Sequence, residues 1–105
     1  MIGLGGHVAF DWAGAGSRLL KAEIAREGIT LAQLARRLNA LGAEETEASL
    51  KNKLYRGTFS VPFLLQCMAA LGSESLNIAA VIGREVPRGK DLDLPTRGAG
   101  DSEST

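Results

Sequence analysis

The sequence predicts an all-α fold, a compact bundle of four to five helices, and three observations carry that expectation. Apolar residues recur at helical spacing through 18–27, 30–41, 47–56 and 60–71. Each stretch is preceded by a capping Ser or Thr and followed by Gly: Ser17 and Gly28, Thr30 and Gly42, Thr46 and Gly57, Ser60 and Gly72. Aromatics make up only 5% of the chain, which leaves the core to Leu, Ala and Ile. At 105 residues there is length for one small domain.

Residues 1–16 carry Gly3, Gly5, Gly6, Gly14 and Gly16, whose backbone entropy disfavours helix, so a flexible arm is expected there. Trp12 is the exception, a large aromatic expected to cap the core. Ser17 is the expected N-cap of a first helix over 18–27, with Leu20 and Ile24 stacked at i, i+4. Gly28 then supplies the left-handed C′ position, and Ile29 the apolar contact that such an end favours.

Thr30 and Gln33 form a capping box for the second helix, whose stripe of Leu31, Leu34, Ala35, Leu38 and Leu41 stops at Gly42. Thr46 caps the third, 47–56, with Lys53 and Arg56 placed near its negative end. Ser60 caps the fourth, where Pro62 fits the first turn and Leu64, Cys67, Met68 and Leu71 point inward. A fifth short helix over 75–82 is apolar enough to cover the open side of the bundle. The folded domain is thus expected to span 17–83. The segment 84–105, with Pro87, Pro95 and a polar close, has almost nothing to bury and reads as a disordered tail.

Composition excludes several classes of function. Cys67 is the single cysteine, so no internal disulfide forms, and its place on an apolar stripe suits a small buried hydrophobe. His7 stands alone, without the Cys, His or carboxylate partners of a metal site. No phosphate-binding loop, nucleophile elbow or zinc-protease signature occurs, so neither an enzyme nor a cofactor is expected. No leader and no spanning segment is apparent, and the cytoplasm is the expected compartment.

Twelve basic residues balance twelve acidic ones, which argues against gripping nucleic acid by overall charge. The balance is uneven along the chain, however. Within 17–57 the basic side chains Arg18, Lys21, Arg26, Arg36, Arg37, Lys51, Lys53 and Arg56 outnumber Glu23, Glu27, Glu44, Glu45 and Glu47.

The functional expectation rests on helix 47–56. With Leu50 and Leu54 turned to the core, Ala48, Ser49, Asn52, Tyr55 and Arg56 fall on the opposite side, flanked by Lys51 and Lys53. Asn bonds adenine bidentately, Arg bonds guanine, Ala meets a thymine methyl, and lysines neutralise phosphates. Tyr55 adds a phosphate hydrogen bond. Arg37 on the preceding helix reaches phosphates in the same pose. Glu44, Glu45 and Glu47 cluster where carboxylates would repel a duplex, and their other role is to stabilise the helix dipole.

The strings Leu19-Leu20-Lys21-Ala22-Glu23, Gly28-Ile29-Thr30, Gln33-Leu34-Ala35, Glu45-Thr46-Glu47-Ala48, Asn52-Lys53, Arg56-Gly57-Thr58-Phe59 and Phe63-Leu64-Leu65-Gln66-Cys67 together resemble an uncharacterised family of short bacterial proteins, described as a domain of unknown function. That resemblance covers about residues 17–75 and implies no biochemistry. More distantly, the first helix, Thr30 to Ala35, Arg56-Gly57 and Ala70-Leu71-Gly72 look like the lambda-repressor-like, Xre-type DNA-binding domain. Here the stretch from Ala35 to Gly57 is several residues longer than in that pattern, and Leu31 stands where a phosphate-contacting Gln is common. The resemblance carries over Ser49, Asn52, Tyr55 and Arg56 as readers of bases.

The sequence therefore predicts a lambda-repressor-like helix-turn-helix domain, a transcriptional regulator that binds double-stranded DNA with 47–56 as recognition helix, as a homodimer on a two-fold site. The alternative is a protein-interaction module of the same fold that docks a transcription or regulatory partner, which neutral net charge favours.

Overall fold

A computed structural model describes residues 10–93. It is helical, with α1 (Trp12–Glu27), α2 (Leu31–Ala40), α3 (Glu47–Arg56), α4 (Val61–Leu71), α5 (Ile78–Ile82) and a terminal 3₁₀ turn (Gly89–Leu92). No described helix is long and apolar enough to cross a membrane.

The caps of the central helices form as the sequence predicts. Thr30 and Gln33 close a capping box on α2, Thr46 and Ser49 close one on α3, and the Ser60 hydroxyl accepts from the Phe63 amide on α4. Gly28, Gly57 and Gly72 take the left-handed conformation behind α1, α3 and α4. Leu20, Ile24, Leu34, Leu38, Leu50, Leu54, Phe63, Cys67 and Leu71 form one core, with Ile29 packed at its edge. Around it α1 packs on α3, α4 and α5, and α2 packs on α3 and α4.

The beginning of the fold differs from the sequence reading. Helix α1 starts at Trp12 rather than 18, and its N-cap is Asp11, whose carboxylate accepts from the Gly14 amide at 2.8 Å. Ser17 is a buried residue inside the helix and caps nothing. Residues 12–16 are therefore not part of a flexible arm; residues 1–9 lie outside the described ones.

The physical reason lies across the core. Gly57 meets the α1 backbone at Ala13 so closely that a Cβ there would overlap the Ala13 carbonyl, and a Cβ on Gly16 would stand 3.0 Å from the Gly57 carbonyl oxygen. Glycine's helical penalty of about 1 kcal/mol is offset by this contact and by the burial of Ala15.

Three further expectations change. Trp12 is 58% exposed; instead of capping the core it meets Phe10 edge-on at 4.6 Å between ring centroids. Leu41 leaves the inward stripe of α2 because the helix ends at Ala40, and it too is exposed. Helix α5 begins at Ile78, capped by Asn77, so it covers α1 with a single turn and a half and buries no residue fully. Of the expected tail, 84–93 is exposed apart from Val86 and contains the 3₁₀ turn, while 94–105 lies outside the described residues.

Candidate nucleic-acid interface

Helix α3 divides lengthwise into an inner and an outer half. The inner half begins with Leu50 and Leu54, both in the core. It is extended by a polar network that the helical pattern does not announce. Glu45, just before the cap, is 8% exposed, and its carboxylate accepts from the Ser49 hydroxyl at 2.6 Å and from the Lys53 ammonium. Lys53 Nζ also stands 4.5 Å from the centroid of the Phe63 ring, a cation–π contact that ties α3 to α4.

This network explains the ionisation of Glu45. Burial by itself would raise the carboxyl pKa, but hydrogen bonds from Lys53 and Ser49, together with the Lys53 charge, hold it below the ordinary glutamate value. Of the three acids that looked hostile to a duplex, Glu45 thus turns inward and is neutralised. Glu47 pairs loosely with Lys51 at 3.9 Å, and Glu44 is exposed.

The orientation of α3 against α2 is set by Asn39. Its amide donates to the Glu45 carbonyl and its carbonyl oxygen accepts from the Glu45 amide, both at 3.1 Å, so one side chain satisfies both backbone groups of Glu45 and ties the end of α2 to the start of α3. Nothing in the helical pattern marks Asn39 for this role; an Asn in a last turn before Gly is the only sequence signal.

Several residues expected at the interface are engaged by other groups of the fold. The Ser49 hydroxyl, beside its bond to Glu45, accepts from the Thr46 amide at 2.8 Å, so it is spent on the cap and does not present itself to a base. Lys53 is spent on Glu45 and Phe63. Arg37 donates to Glu27 of α1 and to the Ala70 carbonyl of α4, each at 3.0 Å, and so bridges three helices while its side chain stays partly exposed.

The outer half keeps the remainder. Asn52 and Arg56 are exposed, and Tyr55 is 88% exposed, the most open large side chain among the exposed apolar and aromatic ones. Lys51 is exposed beside them. Lys51, Asn52 and Tyr55 line a cleft of roughly 410 Å³ whose other walls are Lys21 of α1, Leu31 of α2 and Leu54 of α3. Lys21, which the sequence placed only among the general positive charge of 17–57, is thereby brought beside the predicted readers.

Burial, and secondarily the Glu45 charge, pushes the Cys67 thiol up to about 12, with Lys53 opposing. No group of His, Cys, Asp and Glu among the described residues is arranged to hold a metal ion.

Residues 12–76 match a family model described as a domain of unknown function, DUF6471. No curated protein and no solved structure matches the chain.

Proposed function

The chain belongs to the DUF6471 family, whose description carries no function, and on the geometry of α3 we propose that it is a DNA-binding regulator in which α2 and α3 act as a lambda-repressor-like helix-turn-helix. The observation that carries this reading is the outer half of α3. Asn52, Tyr55 and Arg56 are exposed along one surface with Lys51 beside them, while the inner half is committed to the core and the Glu45–Lys53 pair.

That arrangement supplies what major-groove recognition requires. Asn52 and Arg56, one helical turn apart, offer the donor and acceptor patterns that discriminate adenine and guanine. The Tyr55 hydroxyl and the Lys51 ammonium offer phosphate contacts that set the register. A single helix of this kind makes few base contacts, so a two-fold pair of copies on DNA completes the proposal.

The experiment is binding of the full chain to fragmented genomic DNA across an ionic-strength series. Retention that weakens steeply with salt is expected, since each neutralised phosphate releases counterions. Absence of retention at low ionic strength would remove the reading in favour of a protein-docking role.

A further inference from the structure

We infer that the cleft between α1 and α3 is a phosphodiester seat, and that Lys21 is the anchor it contributes to nucleic-acid binding from outside the recognition helix. This deepens the DNA-binding reading and rests on it. The cleft has an apolar floor, Leu31 and Leu54, and a polar rim, Lys21, Lys51, Asn52 and Tyr55.

Two lysines from different helices thus line one concavity. Lys51 has one long pairing, 3.9 Å to Glu47, and Lys21 has no carboxylate within pairing distance among the described residues. Both side chains carry positive charge beside a low-dielectric floor, so an anion entering the cleft is attracted by both. The donor set fits a sugar–phosphate strand: two cations and the Tyr55 phenol for phosphate oxygens and leucine surface for the deoxyribose carbons, with the Asn52 carboxamide at the rim left for a base edge.

The position gives the cleft a direction as well as a charge. Asn52 and Tyr55 belong both to its rim and to the outward surface of α3, so a strand lying in the cleft continues directly beside the groups that meet base edges. Lys21 and Lys51 would then grip the backbone on the α1 side of the recognition helix and fix its register.

The test is a salt titration of the full chain against fluorescent random-sequence duplexes, with Lys21→Gln, Lys21→Arg and Lys90→Gln, at an exposed lysine of the 3₁₀ turn that does not line the cleft, compared with the parent. Lys21→Gln is expected to lower the slope of log K against log salt by about 0.9, the loss of one phosphate contact. Lys21→Arg should restore the slope, and Lys90→Gln should leave it at the parental value. An unchanged slope in Lys21→Gln beside normal parental binding overturns the phosphodiester seat alone; a parent that binds no duplex at all overturns the DNA-binding reading together with it. Because Lys21 is exposed, thermal melts of all variants are expected to coincide with the parent.

Discussion

Gly57 and Ala13 touch backbone to backbone, with no room for a Cβ between them. This contact closes the end of α3 onto the first turn of α1, and Gly57 holds φ +68° there as the left-handed end of α3. Two separate costs therefore oppose any side chain at the position: the conformation and the overlap.

Gly57→Ala is accordingly expected to lose at least the roughly 1–3 kcal/mol of a strained non-glycine backbone, with further loss from displacement of α1. Gly28 is equally left-handed, but a Cβ there would meet nothing within 4 Å, so it supplies the comparison. Gly28→Ala should lose only the conformational part. Urea midpoints of the two variants measure the difference, and equal midpoints would refute the close contact.

The Glu45–Lys53 pair predicts an acid sensitivity with a defined sign. The folded carboxyl has a lowered pKa, so its contribution is complete above the ordinary glutamate value of 4.5 and is lost as pH falls through the lower folded value. Glu45→Gln should cost about 1.5–3 kcal/mol near neutrality, the range for hydrogen bonds to charged groups. Urea midpoints followed downward in pH should show parent and variant converging; a constant gap would mean that the carboxylate is not ionised in this site.

The outward side chains of α3 and the side chains bonded within the fold predict opposite phenotypes. Asn52→Ala with Arg56→Ala should abolish preference among duplex sequences, at about 1–3 kcal/mol of discrimination for each bidentate contact, while leaving the melting temperature almost unchanged because both are exposed. Ser49→Ala, Lys53→Met and Arg37→Gln should lower the melting temperature and leave the salt slope of binding intact, since these side chains serve the fold. The reverse pattern would return Ser49, Lys53 and Arg37 to the interface.

Cys67 is fully buried, and its thiol pKa is pushed up to about 12, so alkylation by iodoacetamide at mildly alkaline pH should be negligible in the folded protein. Labelling should appear only with global unfolding in denaturant. Rapid labelling in buffer would contradict the packing of α4 against the core.

Local chemistry made much of this molecule legible in advance. The Thr30 and Thr46 caps, the Ser60 cap and the glycines behind α1, α3 and α4 join residues three or four positions apart, so their pattern is visible along the chain. The outward placement of Asn52, Tyr55 and Arg56 follows from the same periodicity once Leu50 and Leu54 define the inner face.

What the amino-acid order alone determined, then, is the central helices, their ends, and the face that α3 turns away from Leu50 and Leu54. Tertiary structure decided the rest: that α1 begins at Trp12, that Trp12 stays open, that Lys53 and Arg37 are bonded to other elements of the fold, and that Lys21 and Lys51 line one cleft. The physical reason is range. A cap is satisfied by the next helical turn, whereas Arg37 meets Ala70, and Gly57 meets Ala13, only after the intervening chain has closed around the core.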